Sequence, residues 1–267
     1  MKFLISAIIL TYNEELNLEK CLKSIADLVS EIIVVDSGST DKTLEIAKNY
    51  GAKIYEHPFV NQAEQFNWAL DNIPIAGDWI LKLDADEYLT PELKAEIKSH
   101  PLLTTDYSLP TSDIAGFYIK RRVYFMNHWI RHGGYYPIWF LRLWRKGRGR
   151  SENRKMDEHI VLLEGKSANL KNDFVDDNKN GLKAWIEKHK KYAAREAEDV
   201  ISGNFGDTKN RKAYYKLPPF FRVIIYFIYR YSFKLGFLDG WQGTRFHFLH
   251  GFWYRFLVDV KIYQLKK

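Results

Sequence analysis

Apolar positions along the first hundred residues switch between two periods. Phe3–Leu10, Glu31-Ile32-Ile33-Val34-Val35-Asp36 and Trp79-Ile80-Leu81-Lys82-Leu83-Asp84 are short, nearly continuous apolar runs, which read as strands buried on both faces. Behind the first, Leu16, Leu18, Cys21, Leu22 and Ile25 recur at helical spacing. Behind the second, Thr40 or Asp41 offers an N-cap for a helix over Leu44, Ile46, Ala47 and Tyr50. Lys53–Glu56 reads as a short third strand and Gln62–Asn72 as a helix. Strands alternating with helices imply parallel pairing with right-handed crossovers, so Asp84 and the acids after it are expected at a carboxyl edge, beside the ends of strands one and two.

After Thr90-Pro91-Glu92, a capped helix start with proline in the first turn, the pattern changes. His100–Ile114 is polar and punctuated by proline, and Gly116–Tyr124 and Trp139–Trp144 alternate as strands on either side of the loop Arg131–Pro137. Lys146–Lys155 reads as a basic loop leading to Met156-Asp157-Glu158-His159-Ile160. From Gly181 the helical period returns, with Leu182, Trp185, Ile186, His189, Tyr192, Ala193 and Ala197 on one face. Pro218-Pro219 opens Phe220–Leu235, apolar except for a stripe at Arg222, Tyr226, Arg230 and Lys234. The uncharged part, Val223–Tyr229, falls far short of the ~20 apolar residues of a spanning helix. Trp241–Tyr263 is amphipathic as well.

Composition adds two constraints. With 46% hydrophobic residues in 267, the chain can bury a full core; its single cysteine, Cys21, permits no internal disulfide, which suits a reducing, cytoplasmic setting. The apolar start meets Thr11-Tyr12-Asn13 without a small-residue cleavage site and reads as a strand, not a signal peptide. The net charge of +7 is concentrated in residues 205–267, where twelve Lys/Arg face three Asp among 19 of the 42 aromatic residues. No nucleic-acid module or stacking platform accompanies that charge, so no nucleic-acid partner is expected; interfacial helices at an anionic membrane surface are. The expected division is a catalytic domain over 1–204, with a donor half at 1–100 and an acceptor half at 101–180, followed by a membrane-associating region over 205–267.

Three carboxylates at a strand end, Asp84, Asp86 and Glu87, are expensive unless water, a cation or a ligand compensates them. A solvated turn is the plain alternative. Three other groups join them: Thr11-Tyr12-Asn13-Glu14 after strand one, Asp36 with Ser37–Asp41 after strand two, and the later pair Asp157 and Glu158. In this order and spacing they resemble the nucleotide-sugar site of a family 2 glycosyltransferase of the GT-A fold, an α/β fold with a mostly parallel sheet flanked by helices. Residues 3–90 carry most of the likeness. Arg131–Pro137, Trp139–Arg145, Asp157-Glu158-His159 and Gly236–Gly240 further resemble the branch that builds lipopolysaccharide cores and other envelope glycans.

That resemblance implies inverting transfer of a sugar from a nucleoside-diphosphate donor, usually UDP-linked, with Mn²⁺ or Mg²⁺ as cofactor. The acceptor implied is a lipid-linked or envelope saccharide, and the setting the cytoplasmic face of the inner membrane. It places Asp84 at the ribose and Asp36 at the base, with Thr11 and Glu14 completing the nucleoside pocket. Tyr12 is either a stacking or a core residue. Many members carry proline where this chain has Thr11, and the Gln-x-x-Arg-Trp motif of processive synthases is absent, which favours single transfers.

Chemistry gives roles of its own. Charge building on the departing diphosphate calls for a hard cation held by carboxylate, for which Asp86 is the first candidate. Arg131, His132, Arg142 and Arg145 are available to phosphate oxygens. An attacking hydroxyl needs a base, for which Glu158 is chosen over its rival Asp157. His159 is either a ligand to metal or phosphate or a structural residue, and Asp41 reads as a helix cap before a ligand. Other readings are transfer to a polyprenyl phosphate, which requires no base, and a non-catalytic, membrane-docked sugar-nucleotide- or glycan-binding protein. A nucleotidyltransferase is disfavoured because Thr11–Glu15 holds neither glycine nor lysine.

Overall fold

The structure, a computed structural model, describes residues 5–103, 113–152, 159–204 and 209–267. Two compact units partition the chain: Met1–Arg122 with Ile138–Asn153 and Glu158–Lys179, and Val123–Pro137 with Arg154–Asp157 and Asn180–Lys267.

The first unit begins with β1 (Ile5–Thr11), α1 (Leu18–Ile25), β2 (Glu31–Asp36), α2 (Thr43–Asn49), β3 (Lys53–Glu56), α3 (Gln62–Asn72) and β4 (Trp79–Asp84). The four strands are parallel, in the order β3-β2-β1-β4. Their apolar runs are continuous because both faces are covered. Ile5, Ala7, Ile9, Val34, Leu81 and Leu83 pack with Leu18, Cys21, Leu22 and Ile25 of α1, while Ile8, Ile33, Val35 and Ile80 pack with Phe66 and Ala69 of α3. The register sets Thr11 opposite Asp36 and Leu10 opposite Asp84, so three strand ends open on one edge of the sheet.

Next in the chain come β5 (Glu87–Leu89), α4 (Pro91–Ser99), β6 (Ile114–Phe125), β7 (His128–Ile130), β8 (Trp139–Arg145), β9 (Gly149–Ser151), β10 (Ile160–Leu162) and β11 (Lys166–Asp176), of which β7 and the end of β6 from Val123 belong to the second unit. The sheet continues past β4 as β8-β6-β11-β5, with antiparallel pairing at β4–β8, β6–β8 and β11–β5. The sheet is therefore mixed, parallel across β3-β2-β1-β4, with helices against it: the GT-A-like α/β fold expected from sequence. The basic stretch read as a loop after Lys146 contains β9, which pairs with β10. Arg150 of β9 holds Asp71 of α3 through two bonds of 2.8 and 2.6 Å. Residues 104–112 of the polar stretch and 153–155 of the basic one lie outside the described residues.

The second unit is largely helical: α5 (Gly181–Ile201), α6 (Lys209–Lys216), α7 (Phe221–Ile228), α8 (Gly240–Phe246) and α9 (Tyr254–Leu265), with π-helical turns at Tyr229–Phe233 and His247–Trp253. Ala193 and Ala197 let α5 approach Tyr254, Val258 and Ile262 of α9 closely. This packing draws α5 into the same unit as the C-terminal helices, so the units divide at Lys179/Asn180 where the sequence reading drew its line at 204/205. The apolar run from Phe220 is interrupted: α7 gives way to the π-helical turn, and Leu235 then takes φ of 59°. Among the described residues, no helix is long and apolar enough to cross a membrane.

Candidate active site

The loops after β1 and β2 are stitched to each other before any ligand is considered. The Asn13 amide donates to Ser39 Oγ at 2.8 Å, the Thr40 amide to Asn13 Oδ1 at 2.8 Å, and the Glu14 amide to Thr43 Oγ1 at 2.8 Å. Asn13 takes φ of 53°, a conformation asparagine tolerates better than most residues. Asp41 accepts the Thr43 amide at the start of α2 at 2.9 Å and the Glu15 amide at 3.1 Å, so it anchors the helix start and the neighbouring loop together.

Asp36 organises this rim. Its carboxylate is fully buried and accepts four hydrogen bonds: from the hydroxyls of Thr11 at 2.7 Å and Ser39 at 2.6 Å, and from the amides of Gly38 at 2.9 Å and Ser39 at 2.7 Å. A carboxylate offers about four acceptor positions, so all are taken. The resemblance assigned Asp36 to a base and Thr11 to the nucleoside pocket; in this structure both are spent on the loop, with Thr11 buried beside Asp36. Glu14 is half-buried and accepts from Asn17 Nδ2 at 2.6 Å. Tyr12 is 59% exposed, which removes the core reading and leaves its ring free to stack.

The end of β4 is built differently. Asp84 Oδ1 accepts from Gln62 Nε2, the first residue of α3, at 3.0 Å, and its Oδ2 lies 3.7 Å from Arg142 Nη2. Asp86 Oδ2 accepts from Asn178 Nδ2 at 2.8 Å, and the Asp86 carbonyl accepts the Asp177 amide at 3.0 Å. Both aspartates remain partly exposed. Glu87, two per cent exposed, turns beneath them: it accepts the Asp84 amide at 2.9 Å and pairs with Arg142. Burial pushes the Glu87 carboxyl up, and Asp84 and Asp176 add to that while Arg142 opposes it. Arg142 is itself buried, with Phe174 and Phe140 under its guanidinium at 4.9 and 5.5 Å, so its charge is committed to Glu87 and Asp84.

The other sequence candidates are placed as follows. Arg145 donates to the Ile114 carbonyl at 3.3 Å and lies over Trp79. His159 stacks on Phe140 at 5.8 Å, with Nδ1 3.9 Å from Glu152. In the second unit, Arg131 covers Trp129 at 4.1 Å, and His132 Nδ1 lies 2.6 Å from the buried Asp239, which also accepts the Arg131 and His132 amides. Asp157 and Glu158 lie outside the described residues.

Gln62, Asn178 and Arg142's pairing with Glu87 were not read from the sequence as parts of one site; Glu87 was grouped there with Asp84 and Asp86 but given no role beyond support of the loop. Glu87 carried the only signal: a third acid directly after Asp-x-Asp in a strand that must be buried.

Among the described residues, no three His, Cys, Asp or Glu side chains converge as a ready-made metal cage. Asp84 and Asp86 nevertheless fit a hard divalent cation of the Mg²⁺ type, which is commonly held by one or two carboxylates, waters and the phosphates of a substrate. These partly exposed carboxylates lie beyond the carboxyl ends of parallel strands, where open α/β sheets bind their ligands.

The sequence relationship makes the class specific. The glycosyl transferase family 2 profile matches residues 6–161, more than half of the chain, and the chain belongs to that family. It is 29% identical to the lipopolysaccharide core biosynthesis glycosyltransferase LpsC of Rhizobium meliloti, over 98% of this chain and 93% of that one. It is 44% identical over 94 residues to an uncharacterized glycosyltransferase of Rickettsia bellii, covering 35% of this chain and 31% of that protein. Among solved structures, glucosyl-3-phosphoglycerate synthase of Mycobacterium tuberculosis, in complex with Mn²⁺, UDP and glucosyl-3-phosphoglycerate, is similar at 28% identity over 45% of this chain and 44% of that one, with a TM-score of 0.34. The chain thus spans about a third of the Rickettsia protein and less than half of the mycobacterial one.

Proposed function

We propose that this family 2 glycosyltransferase moves a hexose, with inversion, from a UDP-sugar to a hydroxyl of a lipid-linked or lipopolysaccharide-type envelope saccharide. The observation that carries the donor half is the partly exposed pair Asp84 and Asp86 at the carboxyl edge of the parallel sheet, with Glu87 and Arg142 fixing the turn beneath them. The likeness to LpsC over nearly the whole chain supports the acceptor class.

Asp86, with Asp84 beside it, would hold Mn²⁺ or Mg²⁺, which supplies positive charge to the diphosphate as it departs. Asp84, steered by Gln62, accepts from ribose hydroxyls, and Tyr12 stacks on the base. Because Asp36 and Thr11 satisfy each other, their part is to hold the rim in shape. Glu158 takes the proton from the acceptor hydroxyl as that oxygen bonds to the anomeric carbon. The bond to the diphosphate breaks on the opposite face, and its electron pair leaves on the β-phosphate oxygen. Asp157 is the alternative base.

Peripheral attachment to the cytoplasmic face of the membrane completes the reading. After Lys209 the chain has only two acids, Asp239 and Asp259, and both are buried. Phe221, Ile224, Ile225, Ile228, Phe233 and Trp241 are 41–76% exposed on the same segment as the exposed Lys234 and Arg245. A surface that is apolar and basic, with its acids withdrawn, suits anionic headgroups over an acyl boundary.

The donor assignment is tested by thermal unfolding with UDP and Mn²⁺. Ligand at 100 times its Kd should stabilise by about 2.7 kcal/mol, and Asp86→Asn should abolish the metal-dependent part. An unchanged melting temperature for the wild type at millimolar UDP and Mn²⁺ would remove the donor site. Glu158→Gln then separates acceptors: activity surviving that change would favour a phosphate oxygen as the attacking group.

A further inference from the structure

The four-residue stripe along α7 leads to a buried cluster of cations that the transfer reaction does not use. Arg222 of α7 is 3% exposed and pairs with Asp259 of α9, its Nε 3.0 Å from Oδ1. Asp259 also accepts the Phe220 amide at 2.7 Å. Glu196 of α5, equally buried, accepts from Tyr215 at 2.7 Å, Tyr254 at 2.6 Å and Arg255 Nη1 at 2.7 Å. Asp259 is thereby filled, and Glu196 has three of its acceptor positions taken.

Arg211 of α6 is left over. Its Nη2 lies 3.5 Å from the same Glu196 oxygen that Arg255 uses, but among the described residues none of its three guanidinium nitrogens, all buried, has a hydrogen-bond acceptor. Arg255 Nε and the Tyr214 hydroxyl are also buried without hydrogen-bond partners among the described residues. Among the described residues, three guanidinium groups thus face two carboxylates, and the unspent guanidinium atoms can only donate. The Tyr214 hydroxyl stays a donor because its pKa is raised, chiefly by burial. Buried polar groups are nearly always hydrogen-bonded, and an unbalanced buried cation is especially costly, so such a set calls for an acceptor with negative charge.

We propose that Arg211, Arg255 and Tyr214 form a binding site for a phosphate group inside the helical unit. A carboxylate would satisfy one guanidinium fork; donors arriving from α6 and α9 together require an anion with oxygens in several directions, as a tetrahedral phosphate has. The group is either a free phosphate or the headgroup of an amphiphile, whose apolar part would lie against Phe221, Ile224, Ile225 and Ile228 on the other face of α7. The site is independent of the donor assignment.

The full-length protein, in EDTA to silence any divalent-cation site, is titrated with inorganic phosphate. In parallel it is tested on vesicles of phosphatidylcholine with and without phosphatidic acid. The wild type should bind phosphate, and so should Lys212→Gln, which removes a charge from an exposed neighbour. Arg211→Gln should weaken binding about tenfold or more, and Tyr214→Phe, which removes only a hydroxyl, about threefold or more. Arg211-dependent binding of free phosphate alone identifies a soluble source; Arg211-dependent preference for phosphatidic acid identifies a lipid one. Either result supports the site. Equal binding by wild type, Arg211→Gln and Tyr214→Phe to both probes, or no binding to either, overturns it. Stabilisation by UDP and Mn²⁺, measured on the same variants, should be unaffected, so a failure here is distinct from a failure of the donor site.

Discussion

Arg142 and Glu87 offer the sharpest energetic test of how the donor edge is held. Each is less than a tenth exposed, they pair directly, and Glu87 also accepts the Asp84 amide at 2.9 Å. Replacing Arg142 with Met keeps the side chain's length and apolar contact with Phe174 but leaves Glu87 buried without its cation. Breaking one side of such a pair costs about 3–5 kcal/mol. Glu87→Gln keeps an oxygen for the Asp84 amide yet strands the Arg142 charge, at a similar cost. The double variant has no stranded charge and still serves the amide, so its loss should fall short of the sum by at least ~2 kcal/mol. Urea unfolding followed by tryptophan fluorescence reads all four proteins. Single losses under ~1 kcal/mol, or losses that add within ~0.5 kcal/mol, would refute the claim that this pair anchors the turn.

Other consequences are as direct. Asp259→Asn strands the Arg222 charge but leaves it the Tyr215 carbonyl at 3.1 Å, so the expected loss is toward the lower end, about 3 kcal/mol, by chemical denaturation. Gly133 has φ of +68°, and a Cβ there would fall 2.0 Å from the ring of buried His247; Gly133→Ala should cost more than ~2 kcal/mol. Gly181, at φ of +80° with open space around it, serves as control and should cost only ~1 kcal/mol as alanine. Although burial works against ionisation, His247, His132 and two amides hold the Asp239 pKa at about 2, below its usual 3.8. The stability this supplies, about 2 kcal/mol, is therefore complete above pH ~4 and lost as the pH falls through about 2. Asp239→Asn should lack that component when acid unfolding curves are compared.

The sheet was legible wherever burial on both faces wrote a continuous apolar run, as in β1, β2 and β4. It was not legible in β11, Lys166-Ser167-Ala168-Asn169-Leu170-Lys171-Asn172-Asp173-Phe174-Val175-Asp176, whose polar residues mask the period; its acids and amides serve Arg122 and Glu96. Missing that strand meant missing Asn178, which follows it and holds Asp86. The positions of Asp84 and Asp86 at a strand end followed from topology alone. How their neighbours divide the work did not, because a buried Glu87 and a surface Glu87 look alike in sequence. Asp36 shows the same limit: its letter gives a carboxylate after a strand, while only the folded loop shows four donors already turned upon it. In the second unit, the four-residue stripe from Arg222 to Lys234 was plain, but Asp259, the partner of Arg222, comes from a helix farther along the chain.

The claim that organises all of this is that the edge carrying Asp84 and Asp86 handles a nucleoside-diphosphate sugar. The most direct measurement is release of UDP from a panel of UDP-sugars by the purified protein, with Mn²⁺, with Mg²⁺ and with EDTA, alongside Asp86→Asn. A lipid-linked saccharide fraction is included as acceptor. The account predicts metal-dependent release from at least one UDP-sugar, reduced by about a hundredfold or more in the variant, a loss of ~2.7 kcal/mol or more of transition-state stabilisation. Release that is unaffected by EDTA and equal in Asp86→Asn would contradict it.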